Sequence, residues 1–308
     1  MDATMTTLLT GQQTRALGDV SSLYQIADIG AVPAGPLRFG LIADPQYADA
    51  DAQPEFNRYY RHSLAKLSQA IDQLNQQPLA FVATLGDLVD RDWRSYATVL
   101  ACYARLHHPH MVITGNHDAD VISRQLAAQQ PALPLPKHYY QFSLPGYRFI
   151  VIDGNDVSLY CNVANGDSHA QARAWLTTLQ ADGRLQAQSW NGAVGEQQLE
   201  WLEHNLQQAQ VAGEIVLVFG HYPLTPDNKH NLWNCERVVA LLCRYQVRAY
   251  FAGHFHRGGY HRIGNTDFIT LKGMLDGSEE TPFAVVEICG NQLKIEGYGT
   301  EISRDLSI

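Results

Sequence analysis

Five short apolar runs, each closed by a small residue and then a polar one, set the rhythm of this chain. Residues 39–43 lead to Asp44, 81–86 to Asp87, 111–115 to Asn116, 215–220 to His221 and 250–253 to His254. The runs are rich in β-formers and largely unbroken by polar positions, the pattern of strands buried on both faces. Between them the period changes. Over 57–75, Tyr60, Leu64, Leu67, Ile71 and Leu74 recur at helical spacing, as do Leu199, Leu202, Leu206 and Ala209 over 195–209. Residues 236–246 are a third helical candidate. Strands alternating with helices predict a layered α/β fold. Ligands in such folds gather beyond the carboxyl ends of the strands, which is where all five polar residues fall.

Two stretches interrupt the alternation. Residues 119–136 contain Pro131, Pro134 and Pro136 and read as a loop excursion within an insertion at 119–146. Residues 154–193 are polar with one amphipathic piece and read as a cap over the site. Further on, 268–272, 283–288 and 292–296 read as antiparallel strands, the last two joined at Cys289, Gly290 and Asn291. The expected organisation is a polar leader at 1–36, a single domain with loop insertions at 37–300 and a tail at 301–308.

Composition narrows the class. A chain of 308 residues with 45% hydrophobic and 17% charged residues has the makings of a folded core, which excludes a disordered chain. The net charge of −9 argues against nucleic acid or an anionic membrane as partner. No apolar run approaches the ~18 residues of a membrane span. The N-terminal stretch lacks a charged segment followed by a secretory apolar run, so the expected location is cytoplasmic. The five cysteines show no CxxC spacing and are expected to be reduced.

The polar residues after the runs make a coherent set. Asp44 with Gln46, Asp87, Asn116, His221, and His254 with His256 offer two carboxylates, two amides and three imidazoles. Such mixed O and N donors suit Mn²⁺, Fe or Zn²⁺. The i, i+2 spacings of Asp44 with Gln46 and of His254 with His256 can aim both side chains one way at a strand end. Any one of these elements alone has a structural reading, as a turn, a cap or a hydrogen-bonded core histidine. Five in the order D, GD, GNH, GH, GHxH do not.

That order resembles the calcineurin-like metallophosphoesterases, which implies a four-layer αββα sandwich and a two-metal site. One branch is more similar still, the manganese-dependent ADP-ribose/CDP-alcohol diphosphatases. The resemblance to it lies in DPQYAD (44–49), RYYRHS (58–63), WNGAVGEQQLEWL (190–202), LWNCERVVAL (232–241), YFAGHFHRGGY (250–260) and ITLKGMLDG (269–277). It covers about 39–299. Carried over, it implies that Asp44, Gln46, Asp87 and His256 hold one metal and Asp87, Asn116, His221 and His254 the other. The wider superfamily commonly has His where this chain, like the branch, has Gln46. An amide oxygen is a harder donor than imidazole, which favours Mn²⁺ or Mg²⁺. Purple acid phosphatases carry a Tyr ligand in GDxxY, and here that place is Asp90.

The resemblance implies hydrolysis of the diphosphate bond of small nucleoside diphosphate compounds, ADP-ribose and CDP-alcohols. Two divalent cations outweigh two carboxylates, and the mechanism expected is in-line attack of metal-bound hydroxide without a phosphoenzyme. His117 is the candidate to stabilise charge on phosphorus or protonate the leaving group, and Asp118 either orients it or caps the next helix. Arg58, Arg61 and His62 would share a helix face, solvated or in contact with phosphate or ribose. Tyr47 can stack on a base or pack on the sheet. Trp233 and Cys235 lie in a loop where a nucleoside can rest, and Gly258, Gly259 and Tyr260 make either a substrate approach or a turn. Rival readings are a cyclic nucleotide phosphodiesterase or phosphomonoesterase with the same metal pair, and a non-catalytic scaffold. The scaffold predicts missing ligands, and none is missing. A zinc peptidase would need HExxH, which is absent.

Overall fold

The apolar runs become strands because each has two faces to bury. In β1 (Leu37–Ile42), Leu37, Phe39 and Leu41 enter one apolar cluster and Ile42 another. In β2 (Phe81–Thr84), Phe81 and Ala83 face the first cluster and Val82 the second. The computed structural model describes residues 35–129, 139–160 and 166–307.

One six-stranded sheet has the order β14 (Arg304–Ser307), β13 (Gln292–Tyr298), β12 (Phe283–Cys289), β1, β2, β3 (His110–Val112). Here β1, β2 and β3 are parallel, and β12 to β14 add antiparallel. The other has the order β10 (Arg257–Ile263), β11 (Thr266–Lys272), β9 (Ala249–Ala252), β8 (Ile215–Phe219), β5 (Tyr147–Val151), β4 (Tyr140–Leu144). Its four inner strands are parallel and its two edge strands antiparallel.

The sheets meet through a cluster that includes Phe39, Phe81, Phe149, Phe219 and Phe251. Phe39 stacks on Phe81 at 5.0 Å and meets the other three edge-on at 5.8–6.4 Å. Outside the first sheet lie α1 (His62–Leu74), α2 (Ser95–Tyr103) and α3 (Asn116–Gln129), burying residues such as Leu67, Ile71, Val99 and Val121. Outside the second lie α5 (Glu196–Ala212) and α6 (Cys235–Arg244), burying Leu199, Leu202, Leu206, Val238 and Leu242. The result is a single α/β domain of four layers, with two mixed sheets flanked by helices. Segment 154–193 holds α4 (Gly166–Ala181) and a small two-stranded sheet of β6 (Val157–Ser158) and β7 (Gly192–Ala193).

Four readings change. α1 begins at His62, because Asn57 takes a left-handed φ of 57° and 57–61 form a turn bridged to Asp276. Tyr60 therefore packs with Ala48 and Leu275 rather than with the helix face. The expected loop from 119 is helix as far as Gln129. Pro131, Pro134 and Pro136, the leader up to 34 and Cys161 lie outside the described residues. Strand 268–272 is antiparallel only to β10 and runs parallel to β9. The expected tail contains β14, which pairs along β13. Cys102, Cys235, Cys243 and Cys289 are free thiols.

Candidate active site

Strand ends of both sheets open onto one buried space. Asp44 follows β1, Asp87 follows β2 and Asn116 follows β3, while His221 and His254 follow β8 and β9. Asp44, Gln46, Asp87 and His254 all have positive φ, between 45° and 63°. That region is costly for residues with a Cβ, at about 1–3 kcal/mol each, and it persists where the surroundings enforce it. The enforcing contacts are visible. Gln46 N donates to Asp87 O at 2.7 Å, and Tyr47 N to Leu88 O at 3.1 Å. His254 N donates to both Asp44 carboxylate oxygens at 3.0 and 3.1 Å, and His117 N donates to Asp87 Oδ1 at 2.9 Å. At Gly253 a Cβ would stand 2.6 Å from Asp44 Oδ2, so only glycine lets the second sheet come this close.

Each imidazole has one nitrogen committed outward. His221 Nδ1 donates to Leu85 O at 2.7 Å, and its Nε2 lies 3.1 Å from Asn116 Oδ1 and 3.3 Å from Asp87 Oδ2. His254 Nε2 donates to Asn191 Oδ1 at 3.0 Å, since the Asn191 amide nitrogen is itself donating to Gln186 O and Lys229 O. His256 Nδ1 lies 2.7 Å from Asp276 Oδ1 and its Nε2 3.8 Å from Asp44 Oδ1. Once deprotonated, the nitrogens left over offer the lone pairs that metal ligands require. Among the described residues, Asp87, His221 and His254 bring ligand atoms within 4.8 Å of one another. Gln46 supplies a further sign. Its Nε2 donates to Asp90 Oδ2 at 3.1 Å, while its buried Oε1 has no protein partner. A buried carbonyl oxygen without a partner is costly, and a hard divalent cation is the partner that its neighbours suit. The donor set fits such an ion.

The charged groups lie close together. Burial pushes the Asp44 carboxyl up to about 6, against the pull of His256 and His221. Burial also acts on Asp87, but His221 and His117 hold it well below the usual carboxylate range. For His221, burial is outweighed by Asp87, which raises it to about 9. His254 is driven down by burial and by the charge of His221.

His117 stands beside this group, its side chain 27% exposed, with Nδ1 3.0 Å from Asp90 Oδ1. Burial opposes its charge, yet Asp87 and the bond to Asp90 raise it to about 9. The residue that orients His117 is thus Asp90, not Asp118. Asp118 is buried and accepts from Gly115 N, Leu88 N and Tyr96 Oη, which locks the GNH turn to the GD turn. Asp90 was legible only as the residue in the Tyr place of GDxxY. Asn191 and Asp276 lie in quoted stretches, where no spacing marks them as partners of histidines.

The substrate candidates separate. Arg58 lies on the site's flank: its backbone bridges to Asp276, and its charge bears on His117 and on His230. Arg61 does not: it is half exposed and paired with Asp49 and Asp51. Tyr47 packs against the cluster that holds Val89 and Tyr96. Trp233 and Cys235 are buried, Trp233 with its Nε1 on Gln188 O, so neither offers a resting place for a nucleoside. Gly258, Gly259 and Tyr260 are part of β10, and Tyr260 Oη donates to Asp267. Arg91 lies over the Tyr60 ring at 4.4 Å.

Donors of this kind on the strand ends of a four-layer sandwich are the mark of a metal-dependent phosphoesterase, and the comparisons agree. The model of the calcineurin-like phosphoesterase family matches residues 24–258, and the chain belongs to that family. It is a metal-dependent hydrolase. Its homology within the family is to the manganese-dependent ADP-ribose/CDP-alcohol diphosphatases. The one from Arabidopsis thaliana is 31% identical, over 90% of this chain and 99% of its own. The one from Danio rerio is 30% identical, over 85% and 95%. A crystal structure of a dimetal phosphatase from Danio rerio superposes with a TM-score of 0.79 at 27% identity, covering 89% of this chain and 99% of that one. Purple acid phosphatase from yellow lupin shares the fold, with a TM-score of 0.58 at 15% identity, over 89% of this chain and 54% of its own. No helix among the described residues is long and apolar enough to cross a membrane.

Proposed function

We propose that this chain is a Mn²⁺-dependent dinuclear phosphohydrolase acting on the diphosphate bond of ADP-ribose and CDP-alcohols. The observation that carries the reading is the unpartnered Gln46 oxygen amid converging carboxylates and outward-tethered imidazoles. The substrate class comes from the relatives. Asp44, Gln46, Asp87 and His256 would hold one cation, and Asp87, Asn116, His221 and His254 the other. Bound there, the cations supply a nucleophile at neutral pH and neutralise the diphosphate. The chain's own groups do the rest. Asp90 holds His117 by Nδ1 and sustains its charge, so Nε2 carries a proton to the oxygen that leaves or steadies charge on phosphorus. Arg58, at the same side, receives the anionic substrate. ADP-ribose would give AMP and ribose 5-phosphate, and CDP-choline CMP and phosphocholine. This reading puts the enzyme in the cytoplasm, with a small nucleoside diphosphate as its substrate and neither nucleic acid nor membrane as its partner.

The test is Mn²⁺-dependent turnover of ADP-ribose, CDP-choline, a 2′,3′-cyclic nucleotide, 3′,5′-cyclic AMP and p-nitrophenyl phosphate, beside His117→Ala. Fast cleavage of the two diphosphates, lost in the variant, is the expected result. Turnover of a cyclic nucleotide or the monoester alone would replace the substrate assignment and keep the metal chemistry.

A further inference from the structure

The stretch at 269–277 leaves β11 and turns back across the site, where it supplies no proposed ligand. Its turn is tied on several sides. Gly273 N donates to His256 O at 3.1 Å, Met274 N to Ala43 O at 2.9 Å and Leu275 N to Asp44 O at 3.0 Å. Tyr59 N donates to Leu275 O at 3.1 Å. From below, the Lys66 ammonium donates to the carbonyls of Asp276 and Gly277 at 2.9 and 2.8 Å. Lys66 is buried on α1, and burial lowers it to about 8 against the pull of Asp276 and Glu280. A desolvated lysine in a helix face is costly, and its contacts here all serve this one turn. The turn also lies flat on an imidazole: a Cβ at Gly273 would stand 2.5 Å from His256 Cγ.

All this delivers the Asp276 carboxylate to 2.7 Å from His256 Nδ1. We propose that Asp276 is a positioning residue for His256. It takes the Nδ1 proton in a hydrogen bond, fixes the tautomer with Nε2 bare, and aims Nε2 at the space beside Asp44. The carboxylate also makes the imidazole a stronger donor. His254 differs, because a neutral amide, Asn191, holds it by the opposite nitrogen. The two histidines of GHFH thus have separate supports, and removing one affects one cation position. This rests on the reading of the site as a two-metal centre.

The experiment uses the full chain freed of metal by chelation. Long-range ¹H–¹⁵N spectra at alkaline pH, with the His256 signals identified by their absence from His256→Gln, report which nitrogen carries the proton. The expected result is Nδ1–H in the wild type and a shift toward Nε2–H in Asp276→Ala. Mn²⁺ titration followed by electron paramagnetic resonance then counts and ranks the bound ions. Asp276→Ala should weaken one ion about 10–100-fold and spare the other, with Asp276→Asn in between, because it keeps an acceptor without the charge. Nε2–H in the wild type overturns the proposal. So does an unchanged tautomer in Asp276→Ala, or loss of both ions with a lowered melting temperature of the metal-free variants. Failure of the substrate assignment shows up separately, as Mn²⁺-loaded wild type inactive on ADP-ribose and CDP-choline with these readouts intact.

Discussion

His117 and Asp90 form a unit, 3.0 Å apart, and substitutions in a unit do not add. His117→Ala should lower kcat by about 10²–10⁴, the usual worth of a positioned proton donor. Asp90→Asn should cost less, and adding it to His117→Ala should remove little more. Full additivity in steady-state kinetics would show that the two act independently. The same neighbourhood sets a pH dependence. His117 and His221 are each raised to about 9 in the metal-free fold, above the unfolded value of about 6.5. A raised histidine stabilises the fold while protonated, so this contribution is complete below about 6.5 and fades as pH rises through 9. Urea midpoints of the metal-free protein should fall across that window, and Mn²⁺ affinity should climb as the competing proton leaves His221. A midpoint that rises with pH there would contradict the assignment. At this scale, the candidate ligands and their order were readable, because short motifs carry them. The tautomers were not, since each is set by an acceptor far away in the chain: Leu85, Asn191 or Asp276.

The element that joins the two sheets is β1, and its central residue is Phe39. That ring contacts aromatic side chains from both sheets. Phe39→Ala should cost about 3–5 kcal/mol, read as a lower urea midpoint; a loss under about 1 kcal/mol would mean that the sheets close over the gap. The parallel strands were legible because strands buried on both faces write unbroken apolar runs. The hairpin of β4 and β5 was not. β4 carries exposed and half-buried positions at a sheet edge, and Asp153, just after β5, accepts a hydrogen bond from Asn155 N. Periodicity also misplaced the start of α1. Tyr60 kept helical spacing with Leu64, yet a left-handed Asn57 and the bridge from Arg58 to Asp276 pull it into the turn. Arg58 and Arg61 part company for that reason.

Across the whole molecule, cation binding and folding are linked. A ligand that binds only the folded state stabilises it by about 2.7 kcal/mol at a hundredfold excess over Kd. Mn²⁺ should therefore raise the melting temperature by several degrees, and Asp87→Asn should abolish the rise. An equal shift in that variant would place the ions elsewhere. A layered α/β fold was predictable from alternation and its four layers from the resemblance, whereas the closing strand β14 was too short and polar to declare itself.

The position of β1 has a consequence for the growing chain. One of its neighbours, β2, is made soon after it, but the other, β12, spans Phe283–Cys289. Until the ribosome has released that far segment, one flank of β1 has open backbone groups ready to pair with a stranger. The histidines of the second sheet arrive in the same late phase. Cation loading is therefore among the last events in the birth of the molecule, and it marks a chain that has been finished as well as folded.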